Sequence, residues 1–395
     1  MTISKRTAYI AILTMGIVSM LGDIVYESGR GITPDYLSFL GLSALTIGLV
    51  SGFGEFLGYA ARLVTGKLAD KSRAYWFFIF LGYGCILAIP LVGVSTSVEL
   101  VIALILTERL GKALRSPSRD TVVSVISKSV GAGKAFGLHE AIDQIGAIIG
   151  PALFGVILLL TANNYSIAFE LLIIPFILMI IALIFTYKKI GKKVDKNIEV
   201  EIKAANDKKT PLNRHFWLYC SAVFLNTLGL LPVALILLRG SMILQPIGAQ
   251  WIIPFLYVIV QVVDVPMALV SGHLFDKIGL KILLLPFALS LLPVLAIAYG
   301  GLAGVIAACV LFGLVLGMQE SIYRAAVSNL VSLNQRGTAY GVFNTVLGVG
   351  TLASGAIFGF LMDSGYSVLI WIGFSAVIQI VALLMLQKAR NCPLT

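Results

Sequence analysis

The chain has 395 residues, of which 58% are hydrophobic and only 12% are charged, and its formal net charge is +10. Soluble domains are roughly 45–50% apolar and about 25% charged, so this composition excludes an ordinary soluble domain. The positive charge lies in segments between long apolar runs, which argues against a nucleic-acid partner and for a membrane protein.

Apolar runs divide the chain into membrane-sized segments, each needing about 20 residues to cross a bilayer as a helix. They predict twelve spans, at residues 8–30, 44–66, 75–96, 99–119, 134–160, 166–188, 214–239, 247–271, 280–301, 303–325, 338–362 and 366–388. The expected fold is an all-α membrane protein with twelve transmembrane helices. Residues 189–213 are polar and lysine-rich, and they predict a cytoplasmic linker between two six-helix bundles, 1–188 and 214–395.

The distribution of Lys and Arg predicts the orientation in the membrane, because these residues collect in cytoplasmic loops. They lie mainly on one side of the predicted spans, and the opposite loops hold little beyond Arg30 and Arg239. We therefore expect a multi-pass protein of the cell membrane with both termini in the cytoplasm. We expect it to act as a monomer.

The first predicted span carries Asp23, Glu27 and Arg30, whose spacing places all three on one face of a helix. A charged side chain at the centre of a bilayer costs roughly 2.5–3.5 kcal/mol on insertion scales. These residues should therefore face protein or water, and we predict that they contribute to a substrate- or proton-binding site. Glu55, in the second span, is a further candidate.

The fourth and fifth predicted spans carry most of the remaining intramembrane charge of the first half. In the fourth span the candidates are Glu108 and Arg109, and a charged face is formed by Glu108, Lys112, Arg115 and Arg119. In the fifth span the candidates are His139, Glu140 and Asp143. His139 and Asp143 are one helical turn apart, so this histidine is placed to shuttle or tune a proton.

The second half of the chain has fewer charges inside its spans. The candidates there are Asp264, Glu320 and Arg324, accompanied by the amides Asn226, Gln261, Gln319 and Asn344. This division predicts ion coupling in the first half and substrate contacts shared with the second.

The two halves resemble each other, since residues 133–155 align without a gap with residues 337–359. The segments GKLADK (66–71) and GHLFDK (272–277) also correspond. Both resemble the signature loop G-x-L-x-D-[RK]-x-G-[RK] of the major facilitator superfamily. The second copy retains Gly272, Leu274, Asp276, Lys277 and Gly279, and the first retains Gly66, Leu68, Asp70 and Lys71, with Arg73 in place of the second glycine.

This resemblance implies a transporter with two pseudo-symmetric six-helix bundles. It implies conformational roles for Gly66, Asp70, Lys71, Gly272 and Asp276, and by analogy an ion pair of Asp70 with Arg115 or Arg119. Arg109 also stands at the arginine of the superfamily's R-x-x-Q-G motif, although Lys112 and Ala113 replace the glutamine and the glycine.

The fifth span contains a glycine pattern that resembles the superfamily motif associated with antiporters. It comprises Gly137, Gly146, Gly150, Pro151 and Gly155. Glycines allow close helix packing and Pro151 removes one backbone hydrogen bond, so a hinge is expected here. The eleventh span repeats the glycine spacing without the Gly-Pro pair, which leaves packing inherited by duplication as the alternative explanation.

These observations predict a secondary active transporter, with proton-coupled export of a small amphipathic or cationic molecule as the first hypothesis. Burial raises the pKa of a carboxyl group and a nearby cation lowers it, so an acid between the two influences is able to exchange protons. The alternatives are uptake of a polar or anionic solute held by Arg30, Arg109 and Arg324, and a transport-inactive receptor or scaffold. We find no nucleophile–base pair, metal cluster or cofactor motif, so an enzyme is not expected.

Overall fold

The computed structural model of the chain describes residues 5–95, 97–127, 130–202, 212–331 and 336–391, and within them the regular structure is entirely helical. The α-helices are α1 (Lys5–Phe39), α2 (Ala44–Ser72), α3 (Tyr75–Gly84), α4 (Ala88–Val92), α5 (Val98–Ser127), α6 (Ala132–Leu160), α7 (Tyr165–Leu171), α8 (Ile173–Ile202), α9 (Arg214–Gly229), α10 (Val233–Leu244), α11 (Ile253–Ile278), α12 (Leu284–Leu289), α13 (Leu292–Tyr299), α14 (Gly301–Met318), α15 (Arg324–Leu330), α16 (Arg336–Asp363) and α17 (Val368–Asn391). A π-helical segment, Gln319–Tyr323, joins α14 to α15.

Ten segments of the described chain are long and apolar enough to cross a membrane. One of them, Gln250–Tyr299, is 50 residues long and covers two predicted spans, 247–271 and 280–301. The fourth predicted span corresponds to α5, whose cluster of charged residues keeps it outside this group of ten. The all-helical, multi-pass class is confirmed, while the count of twelve spans stays a prediction.

Contacts between residues group the chain into two compact units. The first comprises Met1–Arg30 and Ala61–Asp207, and the second comprises Gly31–Ala60 and Lys208–Thr395. These boundaries differ from the predicted bundles 1–188 and 214–395, because residues 31–60 group with the second unit. The predicted linker, 189–213, also differs, since α8 continues to Ile202, while residues 203–211 lie outside the described residues.

Residues 31–60 group with the second unit because glycines bring the backbones of α2 and α16 together. A Cβ atom added at Gly48 would collide with the carbonyl oxygen of Gly355, and one added at Gly52 would lie 2.7 Å from the Cα atom of Leu352. At the start of α2, the backbone N–H groups of Ala44 and Leu45 donate to the two carboxylate oxygens of Asp363, each at 2.8 Å. This carboxylate serves backbone donors that an α-helix leaves unpaired at its N-terminus.

The second unit has an aromatic and aliphatic core into which a polar network is built. Its largest fully buried aromatic side chains include Tyr219, Phe216, Phe287, Tyr323 and Phe343. Asn226 accepts a hydrogen bond from the phenol of Tyr323 (2.7 Å) and donates to Ser290 Oγ (3.0 Å) and Gln379 Oε1 (2.9 Å). Asn226, predicted from the sequence as a substrate-facing amide, is therefore engaged within the fold.

Candidate functional site

The central part of α1 presents its charged side chains to other helices. Residues 22–29 are all buried, including Asp23 and Glu27, and a helix buried on every side belongs in the interior. Arg30 Nη1 lies 3.5 Å from Glu27 Oε1, one turn earlier on the same helix. The predicted face of Asp23, Glu27 and Arg30 is thus directed into the protein.

The charged face of α5 packs against two tyrosines of the first unit. Lys112 Nζ donates a hydrogen bond to the phenol oxygen of Tyr26 (3.0 Å) and lies 4.6 Å from the centre of its ring. The guanidinium carbon of Arg115 lies 5.1 Å from the ring centre of Tyr26 and 5.3 Å from that of Tyr83. Both cations therefore lie within cation–π range of buried aromatic rings, where they are shielded from lipid.

Glu108 forms the acidic end of this face. It is fully buried, and its carboxylate oxygens lie 3.3 Å from Arg109 Nε and 3.7 Å from Arg115 Nη2. Neither contact meets the geometry of a hydrogen bond, and both oxygens are buried without a hydrogen-bond partner in the described part of the chain. Charge pairing alone therefore compensates for the burial of this acid.

The close approach of α6 to α1 places Asp143 beside Asp23. A Cβ atom added at Gly146 would collide with the carbonyl oxygen of Met20, and one added at Gly150 would lie 2.6 Å from that of Ile24. Asp143 lies one turn before Gly146, and its carboxyl group lies close enough to that of Asp23 for the two acids to interact directly. The predicted packing role of these glycines is confirmed for this contact, and α6 continues as a helix through the buried Pro151.

Ser19 joins four helices of the first unit at a single hydroxyl group. Its Oγ atom lies 2.8 Å from the phenol oxygen of Tyr83, 3.3 Å from His139 Nε2 and 3.2 Å from Nη1 of Arg119, which donates to it. The same Arg119 nitrogen lies 3.9 Å from Asp143 Oδ2. Sequence reasoning missed Ser19 and Tyr83, although Ser19 stands one helical turn before Asp23 on the same face.

The first unit therefore brings together most of the candidates that the sequence placed there. They are Asp23, Glu27, Arg30, Glu108, Arg109, Arg115, Arg119, His139 and Asp143, and we call this set, with Ser19, Tyr26, Tyr83 and Lys112, the charge cluster. Acids and bases alternate within it, so a proton or a cation bound to one acid alters the balance of the whole set.

His139, Glu140 and Asp143 bring one ligand atom each to within 4.8 Å of one another. The sequence analysis expected no metal cluster, and the structure shows that these three side chains do have the proximity that a metal site requires. Arg119 Nη1, only 3.9 Å from Asp143 Oδ2, places a positive charge beside this group. That charge opposes the binding of a metal cation.

Five candidate site residues lie outside the charge cluster, although one of them, Glu140, borders it through His139 and Asp143. Glu55, Asp264, Glu320 and Arg324 belong to the second unit. Asp264 is buried and Glu55 is half-buried, whereas Glu320, Arg324 and, in the first unit, Glu140 are exposed. The charge cluster contains none of these five side chains.

The predicted ion pair of Asp70 with Arg115 or Arg119 is absent. The exposed Asp70 accepts a hydrogen bond from the phenol of Tyr75 (2.9 Å). Arg115 is paired with Glu108 on α5 itself, and Arg119 is paired with Asp120 on α5 and with Asp143 on α6. In this structure the signature aspartate is held within its own loop.

The other signature-loop residues differ in how tightly they are packed. A Cβ atom at Gly66 would meet Pro117 at an ordinary 3.6 Å, whereas one at Gly272 would lie 3.1 Å from Ser321 Oγ. Lys71 and Asp276 are exposed. Close packing therefore accounts for a glycine at position 272, whereas at position 66 an added Cβ atom would meet no close contact.

Comparisons with known proteins agree on one family. Residues 7–355 match the sequence model described as Major Facilitator Superfamily. An uncharacterized protein of Mycobacterium tuberculosis (strain ATCC 25618 / H37Rv) is 32% identical over 388 residues, which cover 97% of this chain and 94% of the relative. An uncharacterized MFS-type transporter of Methanocaldococcus jannaschii is 29% identical over 361 residues, covering 88% of this chain and 87% of the relative.

Solved structures with low sequence identity share the fold. A mutant of the peptide transporter POT superposes with a TM-score of 0.72 at 15% identity, over 98% of each chain. The nucleoside transporter NupG superposes with a TM-score of 0.70 at 17% identity, over 97% of this chain and 100% of its own. The architecture described above is thus that of known membrane transporters.

Proposed function

Because this chain belongs to the Major Facilitator Superfamily and is a transporter of that type, we propose that it couples the export of a small organic molecule to proton entry. The proton is carried by Asp23 and Asp143, whose carboxyl groups lie close enough to interact directly with each other. Two ionised carboxylates repel at such a distance, whereas one shared proton converts the repulsion into a hydrogen bond. This pair is the observation that supports the proposal most directly.

The surroundings of the pair favour exchange of that proton over permanent retention. Arg119 Nη1 lies 3.9 Å from Asp143 Oδ2, and Lys112 and Arg115 also act electrostatically on Asp23. Asp143 Oδ1 is buried without a hydrogen-bond partner among the described residues. Desolvation favours the protonated state and the three cations favour the ionised one, so a modest change in surroundings shifts the balance between them.

A cationic or amphipathic substrate fits the cluster better than an anionic one. Two of the three arginines expected to hold an anionic solute, Arg30 and Arg109, are already paired with Glu27 and Glu108. The ionised Asp23–Asp143 pair offers negative charge whenever its proton leaves. A substrate cation and a proton would then compete for the same two carboxyl groups, which is the requirement for exchange transport.

The membrane arrangement that we propose has both termini in the cytoplasm of the cell, with the protein acting as a monomer. The Lys and Arg distribution supports this orientation. The close packing of α6 on α1 at Gly146 and Gly150 supports movement of these two helices as one body during the transport cycle.

The test is transport by purified protein in liposomes with an imposed pH gradient. A panel of fluorescent organic cations and anions serves as substrate, and the direction of flux is recorded. We expect the wild-type protein to move a cation against the direction of proton flow. Asp23→Asn and Asp143→Asn should abolish the dependence on the gradient. Glu99→Gln, which neutralises an exposed acid on α5, is the matched control and should transport normally.

Other results of this transport experiment would support other functions. Flux of an anion in the same direction as protons would support uptake by symport and overturn export. Flux that ignores the pH gradient would remove the proton proposal. Absence of flux for all substrates, with unchanged ligand binding after neutralisation of the cluster, would support the receptor or scaffold alternative.

A further inference from the structure

The single hydrogen and two lone pairs of the Ser19 hydroxyl limit which of its three partners donate and which accept. A serine hydroxyl offers one donor hydrogen and two acceptor lone pairs. Arg119 Nη1 can only donate, so it occupies one lone pair of Ser19 Oγ at 3.2 Å. One lone pair and one hydrogen remain for Tyr83 and His139, so one of these two side chains donates to Ser19 and the other accepts from it.

The arrangement that satisfies every group fixes the protonation of His139. The phenol of Tyr83 donates to Ser19 Oγ, and the serine hydroxyl donates to Nε2 of His139. His139 is then neutral, with its proton on Nδ1. If Nε2 carried a proton, the serine hydrogen would turn toward Tyr83. The buried phenol would then have no acceptor among the described residues, which is costly in the interior.

Protonation of His139 would also be transmitted to the acid pair through Arg119. The charged and titratable groups around the imidazole are Arg119 and Asp120 on α5, Tyr83 on α3, and Glu140 and Asp143 on α6 itself. An imidazolium would repel the guanidinium of Arg119, whose Nη1 atom contacts both Ser19 and Asp143. The repelled guanidinium would change its interaction with Asp143, and thereby with Asp23.

We propose that Ser19 is a positioning residue of the proton-coupling site, which holds His139 as the neutral Nδ1–H tautomer and aligns Arg119 with Asp143. The contribution of Ser19 to proton coupling rests on the proposed function. Its control of the His139 tautomer is independent of that function. Ser19 itself transfers no proton to substrate. It makes the Arg119–Asp143 ion pair respond to the protonation state of the histidine.

The experiment compares Ser19→Ala with two matched variants. Ser19→Thr retains a hydroxyl at the same place. Ser28→Ala removes another fully buried hydroxyl from α1, one that donates only to the carbonyl oxygen of Ile24 within the same helix. The protein is labelled with isotopic histidine, and the signal of His139 is assigned among the three histidines with His139→Gln. NMR of the side-chain nitrogens then reports the ratio of the two tautomers.

In Ser19→Ala we expect the ratio of the Nδ1–H to the Nε2–H tautomer to fall roughly 2- to 10-fold, the effect of losing one hydrogen bond. The pH profile of transport should shift in the same variant. Ser19→Thr and Ser28→Ala should match the wild type in both measurements.

An unchanged tautomer ratio in Ser19→Ala overturns the inference, whatever drives transport. A changed ratio with an unmoved pH profile overturns the coupling role of Ser19. Wild-type flux that ignores the pH gradient overturns the proposed function instead, and the tautomer ratio still decides whether Ser19 positions His139.

Discussion

The ammonium group of Lys112 lies on Tyr26, with Nζ 3.0 Å from the phenol oxygen and 4.6 Å from the ring centre. The guanidinium carbon of Arg115 lies 5.1 Å from the centre of the same ring. Tyr26 therefore orients two of the cations that act on Asp23. One aromatic side chain on α1 thus contacts two of the three cations around the acid pair.

Replacement of Tyr26 separates its two contributions. Tyr26→Phe removes the hydrogen bond to Lys112 and retains the ring, and we expect it to lower the free energy of unfolding by about 1.5–3 kcal/mol. Tyr26→Leu also removes the cation–π contacts and should be less stable than Tyr26→Phe. Unfolding in detergent measures both. Tyr9→Phe, at an exposed position on the same helix, is the control. Equal stability of all four proteins would contradict this account of Tyr26.

The glycines of α6 are predicted to differ in their tolerance of a methyl group. Gly146→Ala should destabilise the protein by about 1–3 kcal/mol, because the new Cβ atom collides with the backbone of α1 at Met20. Gly137→Ala, on the same helix, should cause no loss, since nothing lies within 4 Å of its Cβ position. Thermal unfolding compares the two. Similar losses for both variants would show that the glycines serve something other than close packing.

Asp363 should protect the first amides of α2. Asp363→Asn retains the size of the side chain but removes its charge, so we expect faster hydrogen exchange at Ala44 and Leu45, which donate to this carboxylate. The loss of stability should be about 1 kcal/mol, as for other helix N-caps. Asp276→Asn, at an exposed acid of the same unit, is the control. Unchanged exchange at residues 44 and 45 in Asp363→Asn would refute the capping role.

The amides of the second unit should differ in how much each contributes to stability. Asn226→Ala removes the acceptor of the Tyr323 phenol and the amide donor to Ser290 Oγ and Gln379 Oε1, and should lower the free energy of unfolding by on the order of 3 kcal/mol. Asn344→Ala should cost much less, because Asn344 Oδ1 has no hydrogen-bond partner among the described residues. Denaturant unfolding measures both, and a larger loss for Asn344→Ala would contradict this assignment.

The sequence predicted the parts of the structure that depend on local patterns. Apolar runs predicted the helical class, and helical spacing placed Arg30 on one face with Asp23 and Glu27, both of which the structure buries. The cost of charge in a bilayer was sufficient to predict that α5 directs its charged face toward protein or water. Residues separated by one or two helical turns could therefore be placed on a shared face without knowledge of their neighbours.

Contacts between segments that are distant in the sequence could not be predicted from local patterns. Ser19 and Tyr83 are 64 residues apart, and their contact depends on which faces of α1 and α3 meet. The grouping of residues 31–60 with the second unit depends on glycine contacts between α2 and α16. The pairing of Asp70 was inferred by analogy, and it failed because Arg115 and Arg119 have acidic partners nearer on α5 and α6.

The most direct test of the central proposal is the infrared spectrum of the purified protein during a pH titration. If Asp23 and Asp143 share a proton, the wild type will show the C=O band of a protonated carboxyl group near neutral pH. That band will be lost or displaced in both Asp23→Asn and Asp143→Asn, and it will be retained in Glu99→Gln. An identical carboxyl spectrum in all four proteins would contradict a shared proton at this pair.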